Sequence, residues 1–173
     1  RKKVTLVHKA NILKLTTGLF LKIGKEISQN YPEIEFEDLI VDNMAMQMVM
    51  RPQQFDVIVT TNLFGDILSD LASGLVGGLG VTGAANIGDD AAMFEAVHGS
   101  APDIAGKGLA NPTALLFSAL MMLEYLGEDR LAEKIRSAIY TVLQEHKDEC
   151  TQDIGGQGKT ESYNEAICKL LRD

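Results

Sequence analysis

The sequence predicts an α/β fold, and two observations carry that prediction. Over the first half of the chain, short apolar runs of the length expected for buried strands alternate with longer stretches whose apolar residues recur at helical spacing. The 173 residues are 46% hydrophobic and 23% charged, an ordinary globular composition that allows one good core or parts of two. Such alternation is typical of a sheet covered by helices.

Three strands and three helices are predicted in the first half. An amphipathic helix with a buried apolar face ends at Tyr31 and Pro32, because proline cannot continue a helix. A methionine-rich segment before Pro52 is apolar on nearly every side and reads as a short helix, and Asp42 and Asn43 are expected to break the strand before it. In chain order we predict a strand at residues 4–7, a helix from residue 12, a strand at 34–41, a helix at 44–50, a strand at 57–60 and a helix from 66 to about 75.

The second half is predicted to begin with loops and to end with helices. Glycine dominates residues 74 to 88, which predicts a bent, loop-rich passage ahead of an apolar run at 91–97. Gly78, Gly80 and Gly83 spell GxGxxG, but they follow a predicted helix instead of a strand, so we reject a Rossmann site there. Two antiparallel helices separated by Gly127, a loop near 147–158 and a helix at 160–171 follow. The apolar faces of the antiparallel pair comprise Leu116, Ala119, Leu120 and Leu123 on the first and Leu131, Ile135, Ala138, Ile139 and Val142 on the second.

Composition excludes several classes of protein. The net charge of −8 and the pI near 4.9 argue against binding to nucleic acid or to an anionic membrane, because phosphate groups are bound by clustered Lys and Arg. No apolar run reaches the ~20 residues that span a bilayer, and no signal peptide is visible. Cys150 and Cys168 lie outside any CxxC pair and are expected to be reduced thiols. We therefore expect a soluble protein of a reducing, cytosol-like compartment, not a secreted one.

The start of the chain indicates a fragment. It begins at Arg1 without a methionine and runs directly into a strand that needs neighbours to pair with. We expect the rest of a longer protein to precede it.

Asp66 and Asp70 are the first candidate site residues. They stand four residues apart, so on a helix they share one face, and such a pair can chelate a divalent cation through carboxylate oxygens. Two simpler interpretations stay open. Asp66 stands where the helix is predicted to begin and can act as a cap, and Asp70 can be a solvated surface residue. A metal site requires further carboxylates elsewhere in the chain.

Two loops hold further candidates. The segment from His98 to Asp103 offers backbone amides, an imidazole and a carboxylate, which could hold an anion or a ribose, although a turn with a structural histidine explains it equally well. Lys9 stands between a strand end and a helix, where catalytic groups are often found. A lone lysine there is more often a solvated surface residue.

Five runs carry a resemblance to a known family. They are VHKANILK, IVDNMAMQMV, NLFGDILSD, GGLGVTGAANIG and FEAVHGSAPDIAGKGLANPTALLFSALMML. In this order they resemble the C-terminal half of the isocitrate and isopropylmalate dehydrogenases, up to about Leu126. The resemblance implies that family's α/β fold, which is not a Rossmann fold, and a fragment of a two-domain subunit. Residues 1–80 would belong to the small, dimer-interface domain with the metal-binding aspartates, and residues 81–173 to the large, NAD-binding domain.

Within the family the chain is most similar to the NAD-dependent isocitrate dehydrogenases. Val7 and His8 before Lys9, residues 85–88, and residues 94–97 before His98 follow the isocitrate pattern. The 3-isopropylmalate enzymes are the runner-up, and the homoisocitrate and tartrate enzymes are close. A regulatory subunit of a heteromeric isocitrate dehydrogenase is the alternative without catalysis. Gly83 departs from the proline that many relatives carry there.

The resemblance also implies roles for individual residues. Asp42, Asp66 and Asp70 would bind Mg²⁺ or Mn²⁺, and Lys9 would be the general base, with Lys9 and Asp42 reaching the active site of the other subunit. The substrate would be a 2-hydroxy acid, and the assembly a homodimer or higher oligomer held by the methionine-rich helix and the helix after it. The arginines that grip the substrate would lie in the missing N-terminal half, so the fragment alone is expected to be inactive.

The same resemblance assigns a cofactor loop. The residues around the adenosine and phosphates of NAD would be His98, Gly99, Ser100, Ala101, Pro102, Asp103, Ile104 and Asn111. The Asp103 carboxylate would accept hydrogen bonds from the ribose hydroxyls and repel a 2′-phosphate, and Ile104 offers such a phosphate no partner, so NAD is expected instead of NADP.

Overall fold

The computed structural model describes residues 2–172 of the chain. It divides into two compact units, one ending at Leu75 and the other beginning at Val76. Within residues 2–172, no helix is both long and apolar enough to cross a membrane. The mixed strands and helices confirm the predicted α/β class. The assignment of residues 1–80 and 81–173 to an interface domain and a cofactor domain stays a prediction.

A parallel sheet forms the centre of the first unit. Its strands are β1 (Lys3–His8), β2 (Glu35–Ile40) and β3 (Val57–Thr60), and their order in space is β2-β1-β3. His8 pairs in register with Ile40, and Val7 pairs with Thr60. All three predicted strands are confirmed. Because the strands are parallel, their carboxyl ends meet at one edge, where ligand sites of α/β sheets are usually built.

Helices follow the strands, and two of them begin earlier than predicted. They are α1 (Thr16–Ser28), α2 (Val41–Met50) and α3 (Asn62–Val76). Asp42 lies in the first turn of α2, so the prediction that Asp42 and Asn43 break the strand before a separate helix was wrong. α3 begins with the hydrogen bond from the Gly65 N–H to the Thr61 carbonyl, which places Asp66 inside the helix and excludes it as a cap. Asn and Gly are weak helix formers, so helix propensity did not predict the first turn of α3.

The predicted burial of the apolar face of α1 was wrong. Leu19, Ile23 and Ile27 are 55%, 43% and 52% exposed. The helix is seated on the sheet near Gly24, whose missing side chain leaves room for Leu6 and Phe36. Contact at that one seam leaves an apolar groove open beside it, lined by Ile23 and Ile27 among others.

The second unit combines a hairpin with three helices. β4 (Gly83–Ile87) pairs antiparallel with β5 (Ala92–Ala96), and α4 (Thr113–Tyr125), α5 (Asp129–Glu145) and α6 (Thr160–Arg172) follow. The helices were predicted, whereas the apolar run at 91–97 that contains β5 had been assigned to no element, and β4 was interpreted as loop because of the glycines around it. A Cβ on Gly83 would lie 2.7 Å from the backbone nitrogen of Ser118, so glycine there serves close packing of the hairpin on α4.

Ser118 joins the hairpin to α4. Its hydroxyl accepts the Ala84 N–H at 3.3 Å and donates to the Glu95 carbonyl at 2.6 Å, so one buried side chain contacts both strands. Ser118 thereby holds both strands of the hairpin against α4.

The core of the second unit lies between its helices. Leu120, Ile139 and Val142 are buried as predicted, whereas Leu131, which was predicted to share the apolar face, is 46% exposed and lies outside the core. Both cysteines are free thiols, as expected. Burial raises the pKa of the Cys150 thiol, which keeps it protonated and unreactive.

Candidate functional site

Lys9 and Asp42 come together at the carboxyl edge of the parallel sheet. Lys9 follows β1 and Asp42 opens α2 directly after β2, so the pairing of these two strands brings side chains 33 positions apart into contact. The Lys9 Nζ lies 2.5 Å from the Asp42 Oδ1, and the Asp42 side chain is 70% exposed. The hydrogen bond from Lys9 lowers the pKa of Asp42, and a backbone hydrogen bond adds to the effect. Asp42 is therefore a carboxylate at neutral pH, and most of its side chain is open to a ligand.

Asp66 and Asp70 lie one turn apart on α3, and both are exposed. Among the described residues, no group of three or more His, Cys, Asp or Glu side chains could hold a metal ion, so Asp42 does not join this pair within one chain. The donor chemistry of the pair nevertheless fits a hard divalent cation, which takes six or more oxygens and can draw some of them from substrate and water.

His8, the residue before Lys9, makes contacts that sequence reasoning missed. It is buried, and its Nε2 lies 3.0 Å from the Asp38 Oδ2 on β2. The Ala10 N–H donates to its Nδ1 at 3.0 Å, and the other Asp38 oxygen lies 2.8 Å from the Lys25 Nζ on α1. A histidine at a strand end beside an acidic position of the neighbouring strand was the available signal.

The predicted cofactor loop is a segment of tight turns ahead of α4. Ala101 has a left-handed backbone with φ of 43°, and Gly106 and Gly108 are also left-handed. A left-handed alanine costs conformational energy that the surrounding structure must offset, and such strain is concentrated at ligand sites. Pro102–Ile104 forms one turn of 3-10 helix that places Asp103 on the exposed side.

The structure brings most of the predicted cofactor residues to one groove. His98, Gly99, Ala101, Ile104 and Asn111 line it. Ser100 lines an adjoining groove that shares His98 and Gly99. Pro102 and Asp103 are not among the lining residues of either groove; they stand on the exposed 3-10 turn beside them.

Asn111 is held by protein groups in that groove. Its side-chain amide donates to the Asp153 Oδ2 at 2.9 Å, and its oxygen accepts from the Thr113 N–H at 3.0 Å and from the Thr113 hydroxyl. The Tyr163 hydroxyl lies 3.0 Å from that of Thr113 and extends the chain of hydrogen bonds to α6. Asp153, which lines the groove beside Asn111, is a site residue that sequence reasoning missed.

Comparison with known proteins identifies the family. The family model described as isocitrate/isopropylmalate dehydrogenase matches residues 1–167. The chain belongs to the isocitrate/isopropylmalate dehydrogenase family. It is 57% identical over 172 residues to the isocitrate/homoisocitrate dehydrogenase of Thermus thermophilus, a match that covers 99% of this chain and 51% of that protein. The crystal structure of isocitrate dehydrogenase from Methylococcus capsulatus superposes with a TM-score of 0.94 and 60% identity, over 100% of this chain and 51% of that one. These matches confirm the predicted resemblance and fold.

Members of this dehydrogenase family with different named substrates resemble the chain to similar degrees. A mitochondrial NAD isocitrate dehydrogenase catalytic subunit of Arabidopsis thaliana is 54% identical over 99% of this chain and 46% of its own length. The 3-isopropylmalate dehydrogenase of Archaeoglobus fulgidus is 51% identical over 99% of this chain and 52% of its own length. The chain thus spans about half the length of the relatives it matches.

Proposed function

We propose that this chain is the C-terminal half of a metal-dependent, NAD-linked dehydrogenase that converts isocitrate to 2-oxoglutarate and CO₂. The observation that carries the proposal is the Lys9–Asp42 pair at the carboxyl edge of the sheet, with two exposed aspartates on α3 of the same unit. A base beside carboxylate ligands is what oxidation of a metal-chelated hydroxyl requires. We place the full-length protein in a bacterial or archaeal cytoplasm or in a mitochondrial matrix.

The metal-binding residues in this proposal come from two copies of the chain. Asp66 and Asp70 of one copy and Asp42 of the other would hold Mg²⁺ or Mn²⁺. When bound, the ion would supply Lewis-acid stabilisation of the negative charge that develops on the substrate oxygen. Apolar side chains support this assembly, because Met46, Val49 and Met50 of α2 are 50%, 56% and 59% exposed and Ile67 of α3 is 55% exposed.

Lys9 carries the proton transfer in this proposal. In its neutral amine form it would take the proton of the substrate hydroxyl, and NAD, when bound, would accept the hydride of the same carbon, leaving a ketone. The bond to the neighbouring carboxylate would then break with loss of CO₂, and the carbon that loses it would take a proton from an acid of the N-terminal half. Asp42 accepts a hydrogen bond from the Lys9 Nζ and so orients it toward the substrate.

Assays of the full-length enzyme test the substrate. With Mg²⁺ and NAD, we expect kcat/KM for isocitrate to exceed that for 3-isopropylmalate, homoisocitrate and tartrate, measured by NADH absorbance. If kcat/KM for 3-isopropylmalate exceeded that for isocitrate, the proposed substrate would be wrong and 3-isopropylmalate would take its place. No turnover of any of the four substrates would favour the regulatory-subunit alternative. The presence of Lys9, Asp42, Asp66 and Asp70 argues against that alternative.

Cofactor preference is expected to follow Asp103 and Ile104. Asp103→Lys with Ile104→Tyr in the full-length enzyme removes a carboxylate that repels a 2′-phosphate and adds two groups that can bind one. We expect the ratio of kcat/KM for NADP to that for NAD to rise by about 10- to 100-fold, or ~1.4–2.8 kcal/mol. An unchanged ratio would contradict the role given to Asp103. Lys107→Ala, three residues beyond the 3-10 turn, is the control for a general disturbance of the loop.

A further inference from the structure

We infer that His8 and Asp38 are positioning residues that hold the backbone turn carrying Lys9 and so direct its side chain to the reacting hydroxyl. The inference rests on the proposed function, because it takes Lys9 as the general base. Neither residue has a place in the proposed chemistry, and neither was a predicted site residue. Both are built into the same edge of the sheet.

The tautomer of His8 follows from its hydrogen bonds. The Ala10 N–H can only donate, so the His8 Nδ1 must be the acceptor and carry no proton. The proton of the neutral ring therefore resides on Nε2, from which it is donated to the Asp38 Oδ2. With 5% of its surface exposed, the ring has little water with which to replace either bond.

Asp38 in turn is held by two donors. Lys25 donates to one carboxylate oxygen and His8 to the other. Burial alone would raise the pKa of Asp38, but the hydrogen bonds from Lys25 and His8 outweigh burial and lower it, so the carboxylate stays ionised at neutral pH. An ionised Asp38 is an acceptor only, which fixes the donor nitrogen of His8.

The turn around Lys9 is thereby held on both sides. On the carboxyl side the Lys9 carbonyl accepts the N–H of Ile12 at 3.0 Å and that of Leu13 at 2.8 Å. On the other side, the hydrogen bond between the Ala10 N–H and the His8 ring closes a loop that has Lys9 at its middle. Loss of this bond would free the peptide that sets the direction of the Lys9 side chain. A misplacement of ~1 Å at a catalytic group can cost about 100-fold in rate.

Two isosteric replacements of His8 separate its two hydrogen bonds. Asparagine can place an oxygen near the position of Nδ1 and keep the bond from Ala10. Glutamine can place an N–H near the position of Nε2 and keep the bond to Asp38, but it offers Ala10 no acceptor. In the full-length enzyme we expect His8→Gln to lower kcat by about 10- to 100-fold and His8→Asn by less than about threefold, with KM for NAD unchanged in both.

Asp38→Leu tests the same relay at a less buried position. Leucine is close in shape to aspartate but has no acceptor, so the His8 Nε2–H loses its partner and nothing holds the tautomer that accepts from the Ala10 N–H. We therefore expect kcat to fall by about 10-fold or more. Glu37→Leu is the matched control, because Glu37 is the neighbouring carboxylate of β2 and accepts a hydrogen bond from Thr5 of β1 at 2.7 Å, away from the turn. Its kcat should stay that of the wild type.

A double-mutant cycle distinguishes positioning from a general structural role. In a Lys9→Ala background, His8→Gln should cause no further loss of the single-turnover rate, because there is no side chain left to direct. A further loss equal to that seen in the wild-type background would overturn the inference, as would equal losses in His8→Asn and His8→Gln or an unchanged kcat in Asp38→Leu. If Lys9→Ala itself keeps the wild-type rate, the proposed function fails instead.

Discussion

Full-length enzyme with Lys9→Ala is expected to lose about 10²- to 10⁴-fold in kcat, the usual contribution of a general base. The physical reason is that the substrate hydroxyl must lose its proton as hydride leaves the same carbon, and the Lys9 Nζ lies at the sheet edge with its Asp42 partner at 2.5 Å. The KM for NAD should change little, because the proposed cofactor loop belongs to the other compact unit. Steady-state and single-turnover assays of NADH formation measure both constants.

Lys3→Ala is the control for loss of a lysine from β1. Lys3 stands at the opposite end of the strand and pairs with Glu37 at 2.9 Å, so its removal disturbs a comparable ion pair. We expect kcat to stay near the wild-type value in that variant. A kcat for Lys9→Ala close to that of Lys3→Ala would remove Lys9 from the proposed mechanism.

The second large effect is expected from Asp66→Asn. Removing one carboxylate charge from the ligands of a divalent ion, at the effective dielectric of a protein surface, costs a few kcal/mol. The concentration of Mg²⁺ that gives half-maximal rate should rise by about 100-fold or more, and Mn²⁺ affinity measured by calorimetry should fall in parallel. Asp129→Asn, at the exposed start of α5, controls for loss of a surface carboxylate. An unaltered Mg²⁺ dependence in Asp66→Asn would refute the metal site.

These two variants together also test the sharing of the active site between copies. A heterodimer of a Lys9→Ala chain and an Asp66→Asn chain would contain one intact site, since Lys9 comes from one chain and Asp66 from the other. Refolding an equimolar mixture of the two inactive proteins should therefore restore about a quarter of the wild-type activity, because about half the dimers are mixed and half their sites are intact. A mixture as inactive as its parents would place Lys9 and Asp66 in one site of a single copy, or in no dimer at all.

The sequence was sufficient where a single segment determines its own structure. The apolar runs of β1 and β3 and the spacing of Leu120, Ile139 and Val142 reported strands and helix faces correctly, because burial imposes a local period on each of them. The exposed face of α1 shows the limit of the same reasoning, since periodicity reports which residues share a face and not whether anything covers it.

The candidate site depended on pairings that local patterns do not contain. Lys9 meets Asp42 across 33 positions, His8 meets Asp38 across 30, and Asn111 meets Asp153 across 42. The family resemblance assigned Lys9 and Asp42 to one active site without predicting their contact, whereas the other two pairings are set by strand register and by a distant turn. β4 was not predicted because its glycine serves a tight contact with α4, whereas glycine in a sequence pattern is interpreted as a loop signal.

The register of β1 against β2 also limits how the length of this chain can change in evolution. His8 opposite Ile40 is what sets Lys9 beside the first turn of α2. One inserted residue within β2 would turn every following side chain to the other face of the sheet and carry Asp42 away from Lys9. Residues 29–34, between α1 and β2, lie outside both elements and carry no such constraint. Insertions and deletions among homologues should therefore be found mainly in that connection and be rare within β1 and β2.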